Sequence, residues 1–107
     1  MPLALLLLAA AELQGYISDE ACGWNNAREG KEAKECARTC VKGGWPPVFV
    51  PDGSMKTYKI AEKDKVMAFV GDHVAITGEL KGESVVVRAI RLAPAPRKPA
   101  TAAGKPR

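Results

Sequence analysis

Apolar and polar residues alternate most regularly in the C-terminal third of the chain. There Val74, Ile76 and Leu80 alternate with polar or small residues. This period of two predicts a β-strand with one buried face and one solvated face. Gly78 falls on the inner face, where a missing side chain allows a bend or the close approach of another backbone. A Lys-Gly turn follows, and residues 84–92 are predicted to return as the partner strand.

The partner strand changes parity along its length. In a regular strand Val85 and Val87 would point to one face, whereas Ile90 and Leu92 would point to the other. A β-bulge near Arg88-Ala89 would turn all four apolar side chains toward the core. Because a bulge bends the strand that contains it, this pair of strands is typical of a small, strongly curved barrel.

The rest of the chain adds three strands and two helices. Helical spacing of apolar residues and glycine stops predict helices over residues 31–41 and 61–70, followed by Gly43-Gly44 and Gly71. Short apolar or alternating runs predict strands over residues 13–18, 48–50 and 56–60. The predicted order is strand, helix, strand, strand, helix, strand, strand, which indicates a mainly β protein with two short helices.

This order resembles the oligonucleotide/oligosaccharide-binding fold, or OB-fold, a small five-stranded barrel with a helix between the third and fourth strands. The chain is also similar to a group of small exported bacterial proteins of unknown function. The segments that carry this likeness are Gly15-Tyr-Ile-Ser-Asp19, Ala21-Cys-Gly23, Cys36-Ala-Arg-Thr-Cys-Val-Lys-Gly43 and Val70-Gly-Asp-His-Val-Ala-Ile-Thr-Gly78. The resemblance covers residues 13–92 and implies an OB-fold-like barrel in an exported protein. It implies no activity, and the histidine that members carry soon after the Cys-Gly pair is missing here.

The two ends of the chain differ from this central domain, which we place at residues 12–93. Residues 1–11 form an uncharged, leucine-rich run that ends in three alanines, which predicts a secretory signal peptide too short to span a bilayer. The alternative is a buried N-terminal helix. Residues 94–107 are rich in Pro, Ala and basic residues and predict a disordered tail. The expected location is therefore secreted or periplasmic, without a transmembrane segment.

The positive charge belongs to the tail. Acidic and basic residues balance over residues 12–93, so four tail residues account for the net charge of +4: Arg97, Lys98, Lys105 and Arg107. An OB-fold that binds nucleic acid needs a basic groove with stacking aromatics, and the neutral domain argues against that partner. The tail could make weak, salt-sensitive contact with anionic surfaces.

Three cysteines are the residues of the domain that most suggest chemistry. Cys36 and Cys40 share the predicted apolar face of the helix over residues 31–41, and Cys22 precedes it in a loop. In an oxidising compartment such a loop cysteine forms a disulfide with the helix, and Cys22–Cys36 closes the shorter loop, about 15 residues long. One thiol is left over. A metal site of Cys22, Cys36 and Cys40 with His73 as fourth ligand is the alternative, as are inert thiols. As a lone histidine at a strand start, His73 is otherwise expected to be solvated.

No set of nucleophile, base and orienting residue is present, so we expect neither an enzyme nor a cofactor. Two functions remain. The first is a binding or structural module whose partner is an unknown protein, glycan or small ligand, with Trp24, Asn25, Asn26 and Trp45 as candidate contacts. The alternative for the two tryptophans is that they cap the open end of the barrel. The second function is thiol-based metal handling or redox sensing in the cell envelope through Cys22, Cys36 and Cys40.

Overall fold

The computed structural model describes residues 12–95. The predicted signal peptide lies outside this range, as does the predicted tail beyond its first two residues. Within residues 12–95, no helix has both the length and the apolar character needed to cross a membrane.

The strands are β1 (Glu12–Asp19), β2 (Pro47–Pro51), β3 (Tyr58–Ile60), β4 (His73–Lys81) and β5 (Ser84–Leu92). They close into a barrel in the order β1-β2-β3-β5-β4, with β4 pairing back onto β1. Neighbouring strands are antiparallel except β3 and β5, which run parallel. The helices are α1 (Lys31–Lys42) between β1 and β2 and α2 (Lys63–Val66) between β3 and β4. The predicted fold class, a small OB-fold-like barrel, is confirmed.

Two glycines allow the barrel to close. A Cβ added to Gly78 would overlap the carbonyl oxygen of Val86, and one added to Gly15 would overlap that of Val50. Backbone therefore approaches backbone where a side chain would prevent it, as predicted for Gly78. The register of β4 and β5 shifts so that Thr77 pairs with Ala89 and Gly78 with Val87, which leaves Arg88 as the extra residue. The predicted bulge is confirmed at this position.

The barrel interior holds a continuous apolar core, but two predicted members lie outside it. Leu80 and Leu92 are 38 % and 61 % exposed, near the ends of their strands. Leu92 pairs with the buried Val74, so it lies on the predicted face of the strand. It is exposed because it is the last residue of β5. The buried cluster comprises Ile17, Ala37, Phe49, Ile60, Val66, Val70, Val74, Ile76, Val85 and Val87.

The helix α1 packs on the barrel through its two alanines. Ala33 and Ala37 are its buried residues, and small side chains allow the helix to lie close to β1. The segment after the second helical region meets α1 at Gly71, whose φ of +91° and contact with Lys34 leave no room for a side chain. Lys34 also forms an ion pair with Asp72, with 2.9 Å between Nζ and Oδ1. The helix is thus fixed in position against the barrel.

The second predicted helix is shorter than expected. Only Lys63–Val66 is α-helical, and Met67–Phe69 continues as a 3-10 turn before Gly71 reverses the chain. Val66 and Val70 are buried, whereas Met67 is 46 % exposed. The predicted region is right, but apolar spacing over so few residues does not distinguish one long helix from two short turns.

Candidate functional site

The site is organised by a carboxylate at the end of β1. Asp19 has no solvent exposure, although a buried acidic side chain needs polar partners. Its Oδ1 accepts a hydrogen bond from the side-chain amide of Asn26 at 2.9 Å. Its Oδ2 accepts one from the backbone N–H of Cys22, also at 2.9 Å. Asp19 therefore ties both ends of the loop that carries the first cysteine to the barrel.

Further bonds fix the same loop. The hydroxyl of the buried Ser18 donates to the carbonyl of Gly23 at 2.7 Å, and Gly23 has a positive φ of 55°. The residues Gly23–Asn26 form a 3-10 turn, and the backbone N–H of Glu20 donates to the carbonyl of Pro46 at 3.0 Å. As a result, the position of Cys22 is set by the barrel and does not depend on a disulfide.

The helix α1 brings the other two cysteines to this loop. Both Cys36 and Cys40 are close enough to Cys22 to shift the pKa of its thiol, and the Asp19 carboxylate is close enough to shift the pKa of Cys40. All three cysteines, which belong to the described part of the chain, are reduced in the structure. We call Cys22, Cys36, Cys40 and Asp19 the thiol cluster. The three cysteines that sequence reasoning grouped are thus neighbours in space.

The environment of the cluster favours protonated thiols at two positions. Burial raises the pKa of the Cys40 thiol to about 11, and the Asp19 carboxylate, Cys36 and Cys22 act in the same direction. Burial raises the pKa of the Cys22 thiol as well, and Asp19 and Cys36 act in the same direction. Burial disfavours the charged thiolate, and a nearby carboxylate disfavours a second negative charge, so the two shifts have the same two leading causes.

The exposures of the three thiols differ from the prediction. Cys22 and Cys40 are partly buried, but Cys36 is exposed instead of lying on the inner face of α1. The inner face is narrower than the pattern suggested, because Ala33 and Ala37 alone are buried in α1. Cys36 lies next to the row formed by Ala33 and Ala37, on the side of α1 that is open to solvent.

His73 does not join the thiol cluster. It is buried, contrary to the expectation of a solvated side chain, and both ring nitrogens are engaged elsewhere. Nδ1 lies 2.9 Å from the carbonyl oxygen of Ala93, and Nε2 lies 2.9 Å from Oδ2 of Asp52. The ring of Tyr16 packs edge-on at 5.0 Å between centroids. His73 is therefore unavailable as the fourth ligand of the alternative metal site. Among residues 12–95, no three His, Cys, Asp or Glu side chains are arranged to hold a metal ion.

The predicted ligand contacts separate into exposed and buried residues. Trp24 and Trp45 are 48 % and 49 % exposed, so neither is enclosed at the end of the barrel. Asn25 is exposed as well. Asn26 is buried against Asp19 and supports the loop, so it cannot face a ligand as predicted.

Sequence reasoning missed the polar residues that build the site. Asp19 and Ser18 end a strand, and their residue types alone do not distinguish them from solvated strand-end residues. The available signal was the spacing of Asp19, Cys22 and Asn26, because an acidic residue three positions before a turn residue can accept a hydrogen bond from its backbone N–H.

Comparison of the chain with protein-family models, with curated proteins and with solved structures gives no match in any of the three.

Proposed function

We propose that this protein is a non-catalytic, thiol-based redox-sensing module in which Cys22 forms a disulfide with a cysteine of α1. The observation that carries the proposal is the thiol cluster itself. A loop and the helix that follows it bring three cysteines beside one buried carboxylate. Cysteines that serve only as small apolar residues would be buried, whereas one of these is exposed and two are partly exposed.

The rigid loop supports reversible pairing. Cys22 is held by Asp19 and by the turn after it, so the loop keeps its shape whether or not a disulfide is present. A bridge from Cys22 to Cys36 would close a loop of about 15 residues, which the chain-entropy model values at roughly 3 kcal/mol. Oxidation would therefore change the stability of the domain without rebuilding its fold.

The proposed location fits this chemistry. The leucine-rich leader predicts export, and disulfides form and persist outside the reducing cytoplasm. Metal handling is the less favoured use of the same thiols, because His73 is engaged elsewhere and Cys36 faces solvent.

The direct test combines a thiol count with metal analysis on purified mature protein. Samples are equilibrated in glutathione buffers of increasing oxidation, and free thiols are counted after denaturation. We expect three thiols in reduced protein, one in oxidised protein, and a free energy of unfolding about 3 kcal/mol higher in the oxidised form. Bound zinc or copper together with three protected thiols would refute a redox role.

A second candidate function uses the two exposed tryptophans as ligand contacts. Half-exposed indole rings bind sugars and peptides through one face and one N–H donor. We expect a change in tryptophan fluorescence when soluble oligosaccharides are titrated, and its loss in both Trp24→Ala and Trp45→Ala. Met55→Ala is the control, because Met55 is also an exposed apolar residue. An unchanged signal across the oligosaccharides tested would remove the glycan version of this function.

A further inference from the structure

The three thiols differ in how easily a reagent can reach them. Cys36 is exposed on α1, whereas Cys22 and Cys40 are partly buried around Asp19. Cys22 and Cys40 each lie close enough to Asp19 and to both other cysteines for these groups to shift their pKa values. One thiol thus faces the solvent, and two are partly buried near a carboxylate.

We propose that Cys36 is the modification site of the cluster, at which disulfides of small thiols exchange, and that Cys22 then displaces the small thiol. This inference rests on the proposed redox function and adds the order of events and the class of oxidant. The oxidant is a disulfide of a low-molecular-weight thiol, such as oxidised glutathione, and no metal or cofactor is needed.

The chemistry consists of two thiol–disulfide exchanges. The Cys36 thiolate attacks one sulfur of the external disulfide, forms a mixed disulfide and releases the first small thiolate. The Cys22 thiolate then attacks the Cys36 sulfur, forms the Cys22–Cys36 bond and releases the second. Two electrons pass from the protein to the external disulfide, and the protons of Cys22 and Cys36 end on the two small thiols.

Partial burial and the Asp19 carboxylate keep Cys40 out of the first exchange. Together with the neighbouring cysteines they raise the pKa of that thiol to about 11. Near pH 8 such a thiol reacts roughly tenfold more slowly than an ordinary thiol, even after its greater nucleophilicity as a thiolate is included. Its partial burial slows the reaction further.

The test traps the mixed disulfide. Reduced Cys22→Ser protein is treated with oxidised glutathione, quenched with acid and digested with trypsin. We expect the glutathione adduct on the peptide with Cys36, forming roughly tenfold faster than on the peptide with Cys40. Protein with Cys22 intact should accumulate little adduct, because Cys22 removes it.

Two matched variants keep Cys22, so their result does not depend on the Cys22→Ser variant. Cys36→Ser should slow the loss of the first thiol roughly tenfold, whereas Cys40→Ser should leave its rate unchanged. Serine is tolerated at the exposed position 36, and circular dichroism would verify both folds. First adducts on Cys40 or Cys22, or an unchanged rate in Cys36→Ser, would overturn the inference even if a disulfide still forms. Absence of any intramolecular disulfide in unmodified protein would instead overturn the proposed function.

Discussion

Two polar centres lie against the same barrel, and they differ in how completely their groups are engaged. The first, which we call the His73 centre, consists of His73, Asp52 and Tyr16 together with the carbonyl of Ala93. Each nitrogen of the imidazole ring faces one acceptor at 2.9 Å, and the Tyr16 hydroxyl donates to Glu29 at 3.3 Å. The second is the thiol cluster, where Cys22 has two possible partners and Cys36 remains open to solvent.

The difference separates a structural role from a reactive one. In the His73 centre every polar group has one fixed partner, which is how buried polar groups stabilise a fold. In the thiol cluster both oxygens of the Asp19 carboxylate accept hydrogen bonds, whereas the sulfurs have more than one possible disulfide partner. The lone histidine is therefore engaged in the fold, and the proposed chemistry rests on the three cysteines.

The largest effect should come from removing the carboxylate on which the thiol cluster is built. Asp19→Ala leaves the backbone N–H of Cys22 and the amide of Asn26 without their acceptor, and each unsatisfied buried donor costs about 1–3 kcal/mol. We expect a loss of about 2–6 kcal/mol in the free energy of unfolding, measured by urea titration. Glu20→Ala is the neighbouring control, and it should have little effect because Glu20 is exposed.

Disrupting the other centre should reduce stability and leave the thiols unchanged. His73→Ala orphans the carbonyl of Ala93 and opens a cavity beside Tyr16, at a cost of about 2–4 kcal/mol. Rates of reaction with oxidised glutathione should match those of the parent protein under conditions where both are folded. A changed rate would show that the two centres are coupled and that the role of His73 is not purely structural.

A smaller effect concerns the ionisation of Cys40. Because its pKa is about 11, alkylation of Cys40 by iodoacetamide should be slow at neutral pH and should rise until about pH 11. Asp19→Asn removes the negative charge and should move this profile to lower pH. An unshifted profile in a folded Asp19→Asn variant would mean that burial and the neighbouring cysteines raise the pKa without Asp19.

The smallest effect should come from Tyr16 at alkaline pH. Burial and Glu29 raise its pKa to about 12 from an ordinary value of 10.0. As the pH rises above 10, the unfolded state loses the tyrosine proton first, so stability present below pH 10 declines between about pH 10 and 12. Tyr16→Phe should flatten this part of the profile in urea titrations. A parallel decline in the Phe variant would assign the effect to other groups.

The barrel could be predicted from the sequence because its signals are local. The alternation around Val74 and Ile76, the parity change that placed the bulge at Arg88, and the stop at Gly71 each depend on a few neighbouring residues. The exposure of Leu92 could not be predicted in this way. A residue's parity is set by its own strand, whereas its burial depends on what covers the strand end.

The candidate site was predicted only in part, for a related reason. Grouping the three cysteines required only their spacing and a helix. The burial of Asp19 and His73 could not be predicted, because their partners Asn26, Asp52 and Ala93 are distant in sequence or lie in turns. The exposure of Cys36 depends on the face of α1 that the barrel covers, and Ala33 and Ala37 determine this through packing.

The most direct test of the central claim is to map the disulfide in oxidised protein by peptide mass spectrometry. Trypsin cleaves after Arg28, Lys34, Arg38 and Lys42, so Cys22, Cys36 and Cys40 fall on three different peptides. We expect one intramolecular disulfide that contains Cys22, predominantly Cys22–Cys36, with the remaining thiol free. A bridge between Cys36 and Cys40, or three free thiols after full oxidation, would contradict the thiol cluster as a redox site centred on Cys22.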